Sequence, residues 1–170
     1  TYGSSGNGSF VHLTMALFAA MSDIKLVHVP YKGGGPAAIS IASGETQAQM
    51  ATIGAVLQQI ANRRVRALAI TSDYRIDILP QIPTLAEAGV TGYEFTAWIG
   101  ALGPAGMPKA VVDKLNADIQ KILRMPDAAE KLRSQSLEPM FMSPEQFARR
   151  LKSDYDKYEK VIKLTGAKID

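Results

Sequence analysis

The chain has 170 residues, 46% of them hydrophobic and 21% charged, with a net charge of +3. That is ordinary for a globular protein long enough for one domain or two small lobes. Cysteine is absent, which removes disulfides, thiolate nucleophiles and most structural zinc sites, and no apolar run approaches the ~20 residues of a membrane-spanning helix.

Residues 1–95 carry 6 basic and 6 acidic side chains, and residues 96–170 carry 13 and 10. The excess is interleaved with acids on helical faces, as on a solvated surface, so no nucleic-acid partner is expected.

Thr1-Tyr2 reads as the end of a strand. Tyr2-Gly3-Ser4-Ser5-Gly6-Asn7-Gly8-Ser9 follows, a stretch of small residues and hydroxyls without charge. Phe10, Leu13, Leu17 and Met21 then keep helical spacing, so the stretch opens a helix over about Ser9 to Met21. The first N–H groups of a helix lack intrahelical partners, and small residues let an anion approach them. Ile24 to Tyr31 is β-branched and predicts a buried strand. Lys32-Gly33-Gly34-Gly35-Pro36 is a second glycine-rich loop, opening a short helix that stops at Gly44. Gln47 to Ala51 predicts a weak strand, and Thr52-Ile53-Gly54 a third small loop before a helix through Ile60.

Val65 to Thr71 predicts a fourth strand. Thr84-Leu85-Ala86-Glu87 has the spacing of a capping box, and Gly89 can close a short helix after it. Tyr93 to Leu102 predicts a long strand. From Val111 to Leu123 the apolar period is helical and must break before Pro126. A helix through about Ser134 follows, then a short strand over Leu137 to Met142. Ser143-Pro144-Glu145-Gln146 starts a last helix closed by Gly166, whose roughly 22 residues would span ~33 Å.

The first part thus reads β-α-β-α-β-α-β, which implies a parallel sheet with right-handed crossovers. In such sheets ligands bind beyond the carboxyl ends of the strands, where all three glycine-bearing loops would lie. Each helix start adds partial positive charge. One loop alone is a tight turn; three at one edge predict an anion site. The candidate ligand-binding residues are Ser4, Ser5, Gly6, Asn7, Gly8, Ser9, His12, Tyr31, Lys32, Gly33, Gly34, Thr52, Ile53, Gly54 and Trp98. Core packing is the default role of Trp98 and His12, and solvation that of Lys32.

Catalytic readings fare worse. Gly3-Ser4-Ser5-Gly6-Asn7 approaches a nucleophile elbow but ends in Asn7, and no histidine follows His28 to complete the hydrolase order. The loop lacks the lysine of a phosphate-binding loop, and its glycine spacing is not that of a dinucleotide fingerprint. No metal-ligand cluster is seen. A hydrolase or transferase using Ser4 or Ser5 is the rival reading, and a sensory binding module a third. No catalytic residue, metal or cofactor is expected.

YGSSGNGSxxHL (Tyr2 to Leu13), VPYKGG (Val29 to Gly34), VRALAITS (Val65 to Ser72), LPQIPTLAEAG (Leu79 to Gly89), AWIG (Ala97 to Gly100) and PAGMPK (Pro104 to Lys109) resemble the Bug-type extracytoplasmic solute receptors. These are the substrate-binding proteins of tripartite tricarboxylate transporters. The resemblance implies a type II periplasmic binding protein of two lobes closing over a small carboxylate, a periplasmic location and membrane permease subunits as partners. It implies that residues 1–95 form the second lobe and residues 96–170 return to complete the first. Since family members are about twice as long, the chain would be a C-terminal fragment. Its helices after Pro108 should expose apolar surface, to be covered by a swapped partner, a homo-oligomeric copy or the missing segment. Members often carry an acid or proline near the third loop, where this chain has Ala51-Thr52-Ile53-Gly54, so ligand identity does not transfer.

Overall fold

Residues 1–167 are described by the computed structural model. They fall into two units. One comprises Thr1–Ala97 with the chain from Tyr158 onward, the other Trp98–Lys157.

The first unit is built on a parallel sheet. Strand β1 (Tyr2–Ser4) leads to helix α1 (Phe10–Met21), β2 (His28–Pro30), α2 (Gly34–Ser43), β3 (Ala48–Gln49) and α3 (Ile53–Ala61). The strand order is β2-β1-β3, with Tyr2 opposite His28 on one side and Ala48 on the other. The chain steps from β1 to one neighbour and then crosses β1 to reach the other. Each crossover helix therefore covers a different face, since right-handed connections in opposite directions lie on opposite sides. Side chains confirm it. On one face Tyr2 stacks on His28 beneath His12 of α1. On the other, Gly3 meets α2 so closely that a Cβ there would lie 3.2 Å from Ser40 Oγ and 3.3 Å from Thr46 Oγ1.

The apolar core joins α1 to the later chain. Leu13, Leu85, Tyr93, Phe95 and Val161 are buried together. Phe95 packs edge-on to Phe10 and stacks on Tyr158. The Tyr93 hydroxyl donates to Thr14 O at 2.8 Å.

Five predicted strands are shorter or absent, and the third, expected over Gln47 to Ala51, spans only Ala48–Gln49. The second spans only His28–Pro30, because its ladder partner β1 has three residues. Val65 to Thr71 forms no strand; Ile70 makes one parallel bridge to Thr84. The neighbouring segment carries Pro80 and Pro83, which lack the N–H a ladder needs. From Tyr93 to Leu102 the pattern marked burial, not pairing. Tyr93 and Phe95 are buried, yet one backbone bond, Phe95 N–H to Thr71 O at 2.8 Å, anchors the stretch, and Ile99 is 84% exposed. Leu137 to Met142 also forms no strand. The Thr84 capping box does form, with Thr84 N–H donating to Glu87 Oε2 and Glu87 N–H to Thr84 Oγ1. It caps a single turn and no helix.

The second unit contains α4 (Lys109–Leu123), α5 (Pro126–Ser134) and the first part of α6 (Pro144–Thr165). Ser143 caps α6 reciprocally with Gln146. The α4 helix is tied to the segment before α6 by Asn116 and Gln120, which both donate to Met142 O. Neither α4 nor α5 has a buried residue. Val111, Leu115, Ile119 and Ile122 stay exposed along one stripe of α4.

Candidate functional site

The three glycine-bearing loops follow the carboxyl ends of β1, β2 and β3. Because β1 is central, its loop lies between the other two. The sheet's direction of growth reverses there, which is where open α/β sheets leave a crevice. The structure joins the loops directly. Gly33 N–H donates to Ser5 O at 3.3 Å and to Tyr31 O at 3.0 Å. A Cβ on Gly6 would lie 3.6 Å from Tyr31 O, and one on Gly34 3.8 Å from Ala55 Cβ. The starts of α2 and α3 are therefore neighbours at this edge. Gly33 caps α2 with φ 104°, a backbone region that glycine reaches without strain.

The opening loop is braced from below. Ser4 is fully buried, and its Oγ donates to Gly6 O at 3.0 Å. The same Oγ lies 2.6 Å from His28 Nε2, a bond whose direction follows the His28 tautomer, since a serine has one hydrogen to give. Gly8 N–H donates to His12 Nδ1 at 3.0 Å, which places the proton of His12 on Nε2. The two imidazoles stack with centroids 3.9 Å apart. Burial pushes the pKa of His12 down. Burial, and next the neighbouring His12, push that of His28 down. Both are therefore held as neutral rings. Ser9 caps α1, its Oγ accepting from His12 N–H at 3.3 Å.

These bonds sort the candidates. The hydroxyls of Ser4 and Ser9, the N–H groups of Gly6 and Gly8 and the Nδ1 of His12 are engaged inside the loop. Ser5 Oγ makes no hydrogen bond among the described residues. Thr52 is the N-cap of α3, but its side chain makes no cap bond and is exposed. Ile53 and Gly54 open α3. Lys32 is exposed beside the second loop. The Tyr31 hydroxyl is buried without a partner, and its ring lies 3.4 Å from the position of a Gly3 Cβ. Asn7 is part of the same loop. Trp98 belongs to the second unit, where its indole N–H donates to Asp154 Oδ2 at 2.6 Å.

Sequence reasoning passed over Tyr2, His28 and Gly3 as parts of this arrangement. Period-two alternation from Ser4 puts Tyr2 on its face and Gly3 on the other. What alternation cannot supply is the partner strand's register, which sets His28 beside Ser4.

Residues 1–167 match the sequence profile of the Tripartite tricarboxylate transporter family receptor. The chain belongs to that family. A Pseudomonas sp. (strain P51) protein, the UPF0065 protein in the tcbD-tcbE intergenic region, is 37% identical over 163 residues. The match covers 95% of this chain and 48% of that relative. The R. palustris protein Rpa4515, solved with adipate, superposes with a TM-score of 0.89 at 33% identity, over 99% of this chain and 56% of that one. MatC from Rhodopseudomonas palustris, solved with bound malate, gives a TM-score of 0.79 at 26% identity, over 95% and 56%. The chain spans about half the length of the curated relatives it matches. Among the described residues no group of three or more His, Asp or Glu side chains could hold a metal, and no helix is long and apolar enough to cross a membrane.

Proposed function

We propose that the protein is a non-catalytic periplasmic receptor for a small organic anion of the carboxylate class, which it delivers to the permease of a tripartite tricarboxylate-type transporter. The observation that carries this reading is the meeting of three loops, each between a parallel strand and a helix start, around the end of β1. Two of them are tied by the Gly33–Ser5 bond. Helix starts offer N–H donors and partial positive charge to an anion without any arginine. The relatives solved with adipate and malate support the carboxylate class.

In this reading residues 1–95 are the second lobe and residues 96–170 complete the first. Ser5, Thr52 and the first N–H groups of α2 and α3 contact the ligand, with Lys32 and Tyr31 at the rim. Ser4, Gly8, His12 and His28 hold the loop in shape. The pairing of Ser4 with His28 has the form of a nucleophile and its base. However, the hydroxyl is fully buried, so no substrate carbon can reach it.

Calorimetric titration of the intact protein with adipate, malate and citrate tests the reading, with butylamine as a cationic control. Saturable one-to-one binding of at least one carboxylate, lost on combining Ser5→Ala with Thr52→Ala, is the expected result. Failure of every carboxylate, or hydrolysis of an ester panel at a rate lost in Ser4→Ala, would overturn it.

A further inference from the structure

The first unit carries a second feature, remote from the three loops. A recess of about 500 Å³ is lined by Ile60, Arg63, Arg64, Arg66, Leu79 and Ile82, with Val65, Ala67 and Gln81 between them. It lies past the C-terminal end of α3. That helix of 9 residues separates it by ~13 Å of helical rise from the loop at Thr52.

Three arginines share this recess, and none pairs with a carboxylate among the described residues. The pairs Lys109–Asp113, Lys114–Asp118 and Lys152–Asp156 form along helices between residues four apart, and the recess offers its arginines no such neighbour. Arg63 also holds φ 57°, immediately after the C-cap Asn62 of α3. Glycine is the usual residue for that conformation. Asp23 and Ser136 hold the same conformation just after α1 and α5, so this chain ends several helices without glycine there.

The recess is open, and all three arginines are exposed. An exposed ion pair with a free small anion is weak, and three of them offset the cost of association poorly. A macromolecular partner changes the balance by covering the arginines and burying apolar surface with them. Such surface is present. Ile60, Val65 and Ile82 of the lining are only half-buried. Arginine beside partly exposed aliphatic side chains is the composition of protein interfaces.

We propose that this recess is a docking point for an acidic loop of a partner protein, with Asp or Glu side chains entering between Arg63, Arg64 and Arg66 while Ile60, Val65 and Ile82 pack against it. Because the recess and the loop edge lie at opposite ends of α3, the partner can engage while the loops hold a ligand. The docking point does not depend on which anion those loops take.

The test uses the intact protein and a fluorescent acetylated hexaglutamate peptide, followed by anisotropy at physiological ionic strength. Saturable binding is expected, weakened about tenfold or more by Arg64→Glu with Arg66→Glu. Lys121→Glu with Lys131→Glu, the same charge change on the second unit, should leave binding unchanged. Arg63→Gly should weaken binding while keeping or raising thermal stability. Absence of saturable binding overturns the proposal, as does equal loss in the lysine variant. Displacement by millimolar inorganic phosphate as readily as by unlabelled peptide would make the recess a small-anion site instead. Preferential binding to phosphatidylglycerol vesicles would make it a membrane contact. Adipate titration of the same arginine variants, expected to be unchanged, separates this outcome from the receptor reading.

Discussion

His12 and His28 lie face to face, centroids 3.9 Å apart and planes 11° from parallel, directly beneath the loop at the end of β1. His12 accepts from Gly8 N–H, and His28 contacts Ser4. The loop's shape therefore depends on two imidazoles from different elements, both uncharged.

This stack sets a pH dependence. Both pKa values lie below the ordinary 6.5, chiefly through burial. Above pH 6.5 both folded and unfolded chains carry neutral rings, and the pair adds no pH dependence. As pH falls below 6.5 the unfolded chain takes up protons that the folded chain refuses. Stability is then lost until the folded values are passed. Thermal melts from pH 8 to pH 5 should show this fall, and His28→Gln should make it shallower. An equal slope in the variant would show that the stack is not the titrating element.

Ser4 and Ser5 are adjacent and should behave oppositely. Ser5 Oγ has no partner among the described residues, whereas Ser4 Oγ is buried with three contacts. Ser5→Ala should leave unfolding unchanged and weaken carboxylate binding roughly 10- to 100-fold, as expected for one lost charge-assisted bond. Ser4→Ala should cost about 1–3 kcal/mol in urea unfolding, because Gly6 N–H and the His28 ring lose a buried partner.

Gly3 should tolerate no side chain. An added Cβ would meet Ser40 Oγ at 3.2 Å, Thr46 Oγ1 at 3.3 Å and the Tyr31 ring at 3.4 Å. Ser40 and Thr46 bond to each other at 3.0 Å, and Ser40 also donates to Ala37 O. Both are buried and cannot step aside cheaply. Gly3→Ala should destabilise by about 1–3 kcal/mol, read as a shift of the urea midpoint at unchanged m-value.

In the second unit, Asp154 accepts from both Trp98 Nε1 and Arg150 Nε while only 6% exposed. Asp154→Ala leaves an indole N–H and a guanidinium without their acceptor, and should cost about 2 kcal/mol. Trp98 is the chain's only tryptophan, so its emission maximum reports the change. An unshifted maximum with unchanged stability would contradict this reading.

The α4 stripe of Val111, Leu115, Ile119 and Ile122 is exposed, and the proposed two-lobe receptor would cover it. Leu115→Lys with Ile119→Lys should therefore reduce aggregation and dye binding of this chain produced alone. In the intact protein the same pair should destabilise by about 2 kcal/mol or more, measured by urea unfolding. A neutral effect there would show the stripe to be solvated.

The sequence by itself determined what depends on neighbours along the chain. The 3.6-residue periods located α1, α4, α5 and α6. Ser9 and Ser143 marked helix starts through short-range bonds to residues three positions on. Three small-residue loops before helices implied a parallel sheet, and the ordered motifs carried the family resemblance. Tertiary structure decided what depends on residues brought together from afar. Alternating β-branched and aromatic residues signal burial, but a strand also needs a second backbone in register. Val65 to Thr71 has one only at Ile70, and Tyr93 to Leu102 meets another segment's backbone only through Phe95 and Thr71. The order β2-β1-β3 set His28 beside Ser4 and α2 against Gly3, with the Ser4 hydroxyl buried between them. No local pattern encodes that, because hydrogen-bond partners 24 residues apart are chosen by strand register and helix packing.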